Sequence, residues 1–469
     1  MTHPDTTAQP QPAKWIHLLE GKLALYSVIF GASVALHALN VFIATTIMPS
    51  VIHDIGGLEV YAWSSTVFVI TSILAAALSS QLLAHAGANR AYAIASLVFS
   101  VGTLACATAP DIWVLILGRA VQGLGGGFFY ALAYAVIRLV YPARLWPLAI
   151  GLITVMWGIA TLTGPAIGGV FAEHQAWRAA FWVLIPVSCA LGALAFTIMP
   201  THTASGPQEG MPMLQLALLI GIILILSLGS VGATPAKALI SVATAAALGV
   251  ILLRFERHAA ARLLPRGSWS PKSALGAHYI CIALLLIGMQ PELFVPYLLQ
   301  ALHGLSPLWA GYAGALMALG WTLGSITSVS WPAPMAARTL VFGPVFGLSG
   351  LLLQAVFVPQ AHMPWALIPI CIGLTAVGFG IGLAWPHIVP RIYQRAAEGE
   401  QDLAAAGVTT MQLFSTALGA ALGGMVVNLA GLTGQDSTTG AATAALYLFL
   451  SFALAPLFCI AAAKRALAE

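Results

Sequence analysis

Residues 118–127 read GRAVQGLGGG, a glycine-rich run that carries one arginine inside a long apolar stretch. This stretch extends from 113 to 140 and is long enough to cross a bilayer, which needs roughly 20 mainly apolar residues. A charge in hydrocarbon costs at least a few kcal/mol unless it is paired or solvated, so Arg119 is a candidate functional residue. Closely spaced glycines let helices approach one another, and the run therefore predicts packed membrane helices.

The composition of the 469-residue chain is that of a polytopic membrane protein. Hydrophobic residues make up 60% of the chain, charged residues make up 7%, and the mean hydropathy is +0.94, whereas about a quarter of the residues of a soluble domain are charged. We therefore predict an all-α membrane protein. Its fourteen transmembrane helices are expected near residues 25–49, 62–85, 91–109, 113–140, 146–172, 178–199, 213–232, 236–253, 274–300, 307–331, 339–357, 364–389, 402–431 and 440–463.

The distribution of lysine and arginine predicts the orientation. With fourteen spans and a cytoplasmic N-terminus, the outer loops hold only Arg178 and Lys237, and almost all other basic residues lie in the inner segments. This bias is typical of cytoplasmic loops, so we expect a bacterial inner-membrane protein with both termini in the cytoplasm. The first apolar run is a full-length span, and no cleavable signal peptide is expected. The net charge of +4 then reflects orientation, and no nucleic-acid partner is expected.

Two polar interruptions, at 200–212 and 254–273, divide the spans into six, two and six. A shift of 255 residues places Gly118 and Gly123 on Gly373 and Gly378. Such internal repeats are common in secondary transporters. The predicted organisation is a cytoplasmic N-terminal segment, a six-helix bundle, two inserted helices with their linkers, a second six-helix bundle and a cytoplasmic tail, at residues 1–24, 25–199, 200–273, 274–463 and 464–469.

Several motifs resemble those of the major facilitator superfamily. Residues 119–125 resemble its Arg-x-x-Gln-Gly-x-Gly motif, with Gly123 in register. The stretches LNVFIATTIMP at 39–49 and VPYLLQ at 295–300 look like the fourteen-span drug:proton antiporter branch. The resemblance covers about residues 20 to 465 and implies two six-helix repeats that move by alternating access. A Gly-Pro-x-x-Gly-Gly motif, typical of exporters, is matched by Gly164, Pro165, Gly168 and Gly169.

The chain departs from the family pattern at two acidic positions. The branch usually has an aspartate in its first span where this chain has Asn40, so a carboxylate often tied to proton or cation handling is missing. The loop after the second span has Ala84 at its usual acidic position. These departures leave open whether transport is coupled to protons.

Three ionisable residues are candidates for proton coupling. The resemblance implies such a role for Arg119, and the alternative is a structural arginine that bonds backbone carbonyls. Glu292 is flanked by Pro291 and followed by Pro296, which predicts a broken span facing a cavity. Removal from water favours its protonated form, although a carboxylate near the outer end of the span need not titrate. His37 lies one helical turn before Asn40, and its alternative role is packing.

A set of aromatic and polar residues is expected to line a substrate cavity. A mostly apolar pocket with a few polar groups suits amphipathic organic compounds. The alternative is that the aromatic residues face lipid or the membrane interface, and Trp385 is the strongest candidate for such an anchor. The predicted lining residues are Asn40, Phe42, Gln122, Tyr130, Trp157, Trp321, Trp385 and Gln412.

These observations favour a secondary transporter that exports small amphipathic or lipophilic compounds of the multidrug type in exchange for protons. The alternative is a dedicated exporter or facilitator of a metabolite, siderophore or antibiotic, without obligatory proton coupling. An enzyme would show clustered nucleophiles, metal ligands or phosphate loops, and a sensor would carry a soluble output module. Neither feature is evident. The expected partners are the substrate, protons and the lipid bilayer; we expect a monomer with no cofactor and no metal site.

Overall fold

The computed structural model describes residues 15–201, 210, 212–259, 261–270, 272–361, 363–434 and 437–468, and no strand occurs within them. Short 3-10 segments are found at Trp15–Leu19, Leu58–Val60, Ala143–Leu145, Gln290–Phe294 and Pro364–Ala366. The α-helices of these ranges are α1 Gly21–Ile55, α2 Trp63–Ala107, α3 Ile112–Val140, α4 Trp146–Glu173, α5 Trp177–Trp182, α6 Leu184–Ile198, α7 Met213–Ser230, α8 Pro235–His258, α9 Ala274–Met289, α10 Val295–His303, α11 Pro307–Ser328, α12 Ala333–Phe357, α13 Leu367–Arg395, α14 Gln401–Leu429 and α15 Ser437–Ala468.

Twelve helical stretches of the described chain are long and apolar enough to cross a membrane. The predicted count of fourteen is therefore not confirmed. One stretch, Leu58–Ala107, is 50 residues long and would extend roughly 75 Å if it were straight, more than twice the hydrocarbon thickness. The 22-residue α11 is not among the twelve. Most of the predicted N-terminal segment (1–14) and of the first linker (202–209 and 211) lies outside the described residues.

The long stretch changes direction at Gly87. Its φ of 76° and ψ of 165° are not helical, and a side chain is strained at such a positive φ. The carbonyl of Thr201 packs against the same face of Gly87, so a Cβ would also clash there. The break falls between the two predicted spans 62–85 and 91–109.

The helix bounds agree with the 255-residue repeat. Helix α3 begins at Ile112 and ends at Val140, and α13 begins at Leu367 and ends at Arg395, so both ends differ by 255 residues. Helices α4 and α14 also begin 255 residues apart, at Trp146 and Gln401. Helix α2 packs along α3 and α1 along α4 in the first bundle, while α13 packs along α11 and α12 in the last.

The two bundles meet at one end along α4 and α11. Ser306, at the start of α11, donates a hydrogen bond from its hydroxyl to the Glu173 carboxylate at the end of α4. Nearby, Gly169 lies against Leu308, and a Cβ on Gly169 would come within 2.5 Å of the Leu308 Cα atom. Gly169, the last glycine of the exporter-type motif, therefore permits close contact between the two bundles and not only between helices of the first bundle.

A second seam lies where α2 and the segment before it pack against α14 and the region around α10, and it closes the same end. The ring of Tyr61 stacks on Phe294 with centroids 5.4 Å apart and meets Tyr297 edge-on at 5.7 Å. Asn428 Nδ2 donates a 2.7 Å hydrogen bond to the backbone carbonyl of Glu59. We call the end held by these two seams the closed end.

The inserted pair, α7 and α8, lies beside the α2–α14 seam. Helix α7 packs on α8 and α14, and Trp63 Nε1 of α2 donates a 3.1 Å hydrogen bond to the Ser227 carbonyl of α7. Asn428 Nδ2 also donates to the Ser230 carbonyl at 2.8 Å. One amide thus joins both bundles and the inserted pair.

The contact at Gly169 predicts the effect of a single methyl group. Gly169→Ala should separate α4 from α11 at the closed end, because overpacking a tight contact typically costs about 1–3 kcal/mol. Disulfide cross-linking of Glu173→Cys with Ser306→Cys, with exposed Cys189 replaced by serine, should fall in yield. Gly158→Ala is the matched control on the same helix, since nothing lies within 4 Å of a Cβ at that position. Equal cross-linking in both variants would contradict the role of the Gly169 contact.

Candidate functional site

Arg119 of α3 lies at the centre of a buried hydrogen-bond network. Its side chain is 1% exposed. Nη1 donates to Gln122 Oε1 at 2.6 Å and to Asn40 Oδ1 at 3.1 Å, and Nε donates to the Ser64 carbonyl at 3.1 Å. Gln122 follows Arg119 by one helical turn, which places both on one face of α3. The network therefore ties α3 to α1 and α2.

All three acceptors that receive hydrogen bonds from Arg119 are uncharged. The ion pairs found in the described residues involve Arg178, Arg262 and Arg266, and none includes Arg119. The ring of Phe68 lies 4.2 Å from the guanidinium carbon, and such cation–π contacts are strengthened where water is excluded. Neutral dipoles and one aromatic face thus solvate a buried positive charge that has no counter-ion in the described part of the chain.

An aromatic cluster continues from this charge. His37 packs on Phe68 with centroids 5.4 Å apart and stacks on Tyr130 at 5.2 Å. Trp157 meets His37 edge-on at 6.1 Å, Tyr130 at 6.3 Å and Phe42 at 6.4 Å. His37 and Phe68 are buried, whereas Tyr130, Trp157 and Phe42 are half-buried. When Asn40 and Gln122 of the network are included, six of the predicted site residues, from α1, α3 and α4, therefore form one wall backed by Arg119.

Two buried polar atoms of this wall and its network lack a hydrogen-bond partner among the residues that the structure describes. They are Asn40 Nδ2 and His37 Nδ1. The ring of His37 packs against the backbone at Gly126, where a Cβ would come 3.0 Å from Nδ1. Because buried polar groups are nearly always bonded in proteins, such atoms mark a place where a ligand or water is expected to bind.

The exporter-type glycines place α4 against α1. A Cβ on Gly164 would lie 2.5 Å from the Cβ of Phe42, and one on Gly168 would lie 3.2 Å from the Ile43 carbonyl. Pro165 lies inside α4 without ending it. These small residues form a smooth surface that positions Phe42 beside Trp157. Gly123 performs the same role on α3, where a Cβ would clash with Thr71 and Phe68 of α2.

Glu292 lies on the opposite bundle, in the 3-10 segment Gln290–Phe294 that interrupts α9 and α10. The break occurs where Pro291 and Pro296 predict it. The carboxylate is half-buried and forms no hydrogen bond or ion pair with any described residue, Arg119 included. Phe294, which stacks on Tyr61 at the closed end, belongs to the same short segment. The one 3-10 segment thus carries both an unpaired carboxylate and a contact between the bundles.

The predicted lining residues of the second bundle do not join the aromatic wall of the first. Trp321 of α11 packs on Trp385 of α13, with centroids 5.1 Å apart. Trp385 is therefore half-buried in a contact between helices, which argues against its being only an interfacial anchor. Gln412 is half-buried on α14. These three residues remain candidates for a second wall.

Other polar contacts involve residues to which sequence reasoning gave no role. Thr103 accepts a 2.8 Å hydrogen bond from Gln122, and Phe68 covers Arg119; both come from α2, and no spacing in the sequence links them to Arg119. Asp54, near the end of α1, pairs with Arg178 at 2.6 Å. Glu256, assigned to a polar linker, is 1% exposed and accepts from the Leu263 and Leu264 amides. No group of three potential metal ligands occurs in the described part of the chain.

Comparison with known proteins places this architecture in a family. A family model for the Major Facilitator Superfamily matches residues 30–423. The chain is 33% identical over 438 residues to a probable multidrug-efflux transporter of Mycobacterium tuberculosis, covering 91% of this chain and 92% of that one. It is 27% identical over 430 residues to an uncharacterized transporter of the same family and organism, covering 88% of this chain and 61% of the relative.

Solved structures with low sequence identity share the fold. A structure from work on substrate recognition in proton-dependent oligopeptide transporters gives a TM-score of 0.65 at 17% identity, covering 96% of this chain and 99% of that one. A nucleoside transporter gives 0.64 at 13% identity, covering 94% and 99%. The family model and the relative that matches nearly the full chain make the protein a multi-pass membrane transporter. The chain belongs to the Major Facilitator Superfamily, which confirms the resemblance of its motifs.

Proposed function

We propose that this transporter exports small amphipathic or lipophilic organic compounds of the multidrug type, in exchange for protons, by alternating access. The observation that carries the proposal is the half-buried aromatic wall of Phe42, Tyr130 and Trp157 over the buried Arg119 network. A mostly apolar surface with a few convergent polar groups suits such substrates. The probable multidrug-efflux transporter that matches nearly the full chain supports the same class.

We propose fourteen crossings: the break at Gly87 divides Leu58–Ala107 into two, and α11 adds another to the twelve apolar stretches. Fourteen crossings with the basic residues inside place both termini in the cytoplasm of a bacterial cell. The closed end then faces outward, and substrate enters from the cytoplasm or the inner leaflet. The bundles are 25–199 and 274–463, with the inserted pair at 200–273.

The glycine seam supports a rocking motion. Gly164, Gly168 and Gly169 leave α4 without protruding side chains toward α1 and α11. The end held by Ser306 and Glu173 can therefore separate without side chains having to disengage from deep holes. Trp321, Trp385 and Gln412 form the second wall of the cavity in this proposal.

Glu292 is the proposed proton carrier. In the outward-open state its carboxylate takes a proton from outside, and in the inward-open state it releases that proton to the cytoplasm, while substrate moves the opposite way. An ionised carboxylate in a dry site is costly, so the two charge states favour different degrees of hydration around the 3-10 segment. Arg119 and His37 are proposed to sense the substrate on the facing wall.

Reconstituted protein tests the proposal. In inside-out proteoliposomes with an acidic lumen, an amphipathic fluorescent dye should accumulate in the lumen as protons leave, and collapsing the gradient with a protonophore should release it. Protein-free vesicles with the same gradient give the passive distribution. Accumulation that is the same with and without the gradient would contradict proton exchange while leaving export itself intact.

A dedicated exporter or facilitator of one metabolite, siderophore or antibiotic is the second candidate. It is favoured by the absence of a carboxylate beside Arg119, where Asn40 is the partner, and by Ala84. Such a protein would protect a pump-deficient host against one compound and would equilibrate that compound without a gradient. Protection against several unrelated compounds would exclude this candidate. We expect a monomer in either case, with the bilayer and the substrate as its partners.

A further inference from the structure

We infer that the wall built on Arg119 selects neutral or anionic aromatic substrates over permanent cations. The inference rests on the proposed function, because it assigns a substrate class to that same site. It starts from the charge of the network: a buried guanidinium whose acceptors are Asn40, Gln122 and the Ser64 carbonyl, all uncharged. The site therefore carries a net positive charge in a region of low dielectric constant.

The charge lies behind the aromatic wall and is connected to it by stacked rings. Phe68 lies on the guanidinium, His37 lies on Phe68, and Tyr130 stacks on His37 at an interplanar angle of 25°. The far ring of this column, Tyr130, is half-buried and also meets the rings of Trp157 and Tyr134 edge-on. A ligand ring bound against Tyr130 and Trp157 therefore experiences the field of Arg119 across side chains, with no intervening carboxylate in the network.

The unpaired amide of Asn40 points to the same preference. Arg119 has only donors, so the oxygen of the Asn40 amide faces it and the NH2 group is directed away. That NH2 group is buried and has no acceptor among the described residues. A substrate oxygen, neutral or negative, would satisfy it, whereas an ammonium group would not.

Electrostatics fixes the size of the expected preference. At an effective dielectric constant of about 20, reversing the charge of a ligand several ångströms from a guanidinium changes its affinity by at least about tenfold. Glu292 does not cancel this effect locally, because it lies on the other bundle and makes no ion pair with Arg119.

Two dyes with one ring system test the inference. Fluorescein, an anion, and rhodamine 123, a cation, share the xanthene ring, and fluorescence polarisation with the purified full-length transporter measures their binding. The wild-type protein should bind fluorescein at least about tenfold more tightly than rhodamine 123. Asn40→Asp places a carboxylate against Arg119, cancels the positive charge of the network and should bring the ratio close to one. Asn40→Ser removes the amide without adding charge, and it should weaken fluorescein more than rhodamine 123 while leaving fluorescein the tighter ligand.

Each alternative result decides the question. Equal binding of the two dyes, tighter binding of rhodamine 123, no binding of either, or an unchanged ratio in Asn40→Asp would overturn the inference. Export is measured separately in cells. If rhodamine 123 is exported and fluorescein is not, the result supports the proposed export function and contradicts the charge preference. If fluorescein binds preferentially but a proton gradient does not drive its transport, the result supports the charge preference and contradicts proton coupling.

Discussion

Arg119→Met should abolish export while leaving a folded protein. Methionine occupies a similar volume in the buried site but donates no hydrogen bond, so it removes the charge that holds Asn40, Gln122 and the Ser64 carbonyl in place. Export of a fluorescent compound from a pump-deficient host should fall to the level of cells without the transporter. The amount of protein in the membrane and its melting temperature in detergent are measured in parallel.

Two opposing energies explain why folding should survive. The three acceptors left unpaired cost about 1–3 kcal/mol each, but burying a guanidinium without a counter-ion costs several kcal/mol, and the substitution removes that penalty. The two terms are of similar size, so the melting temperature should stay within about 4 °C of wild type. Because Arg119 is retained at this energetic cost without a net gain in stability, we propose that the transport cycle uses it.

The chain offers a matched control in its second half. Leu374 occupies the repeat-related position of α13 and is fully buried. Leu374→Met changes a side chain at the equivalent depth without altering charge and should preserve export, because such swaps usually cost less than about 1.5 kcal/mol. Full export by Arg119→Met would show that the arginine is structural. Loss of export by both variants would show that export responds to altered side-chain packing in the helices and not specifically to loss of the Arg119 charge.

The sequence predicts those parts of the site that depend on local spacing. Arg119 and Gln122 are one turn apart on a helix, so their contact follows from α-helical geometry. The break at Glu292 follows from two prolines that flank it. The offset of 255 residues predicts related helices, and the bounds of α3 and α13 match it.

Contacts between distant segments could not be predicted in this way. The Asn40–Arg119 hydrogen bond spans 79 positions and the Ser306–Glu173 hydrogen bond spans 133. Each depends on how whole helices cross, which periodicity does not determine. The position of Phe68 over Arg119 is another example, because phenylalanine occurs throughout apolar helices and carries no signal for a cation–π contact. The packing of Trp321 on Trp385 likewise required the crossing of α11 and α13.

Glu292→Gln should remove the dependence of transport on the proton gradient while preserving substrate binding and exchange. Glutamine has the shape of a protonated glutamate but cannot release a proton, so the carrier remains permanently neutral. Accumulation of dye in proteoliposomes should no longer respond to an imposed pH gradient. Exchange of labelled for unlabelled substrate at equal pH should continue, because exchange needs only movement of the loaded transporter.

The position of Glu292 explains why its charge should control the closed end. Phe294 belongs to the same 3-10 segment and stacks on Tyr61 of the other bundle at 5.4 Å. Ionisation of the carboxylate requires water or a polar partner, and no described residue supplies a partner. Hydration of the segment should therefore displace Phe294 and weaken its contact with Tyr61. We propose that release of the proton at the cytoplasmic face is linked in this way to separation of the bundles at the closed end.

Three variants distinguish a carrier from a structural residue. Glu292→Asp keeps a titratable group and should retain a weakened response to the gradient, whereas a purely structural role would make the shorter aspartate no better than glutamine. Glu59→Gln removes an exposed carboxylate at the closed end and should transport as the wild type does, since its structural contact is made by the backbone carbonyl. Gradient-driven accumulation by Glu292→Gln at the wild-type level would exclude Glu292 as the carrier. Because the Asn40 side chain cannot carry a proton, we would then propose His37, a buried titratable residue of the aromatic wall, as the next candidate for coupling.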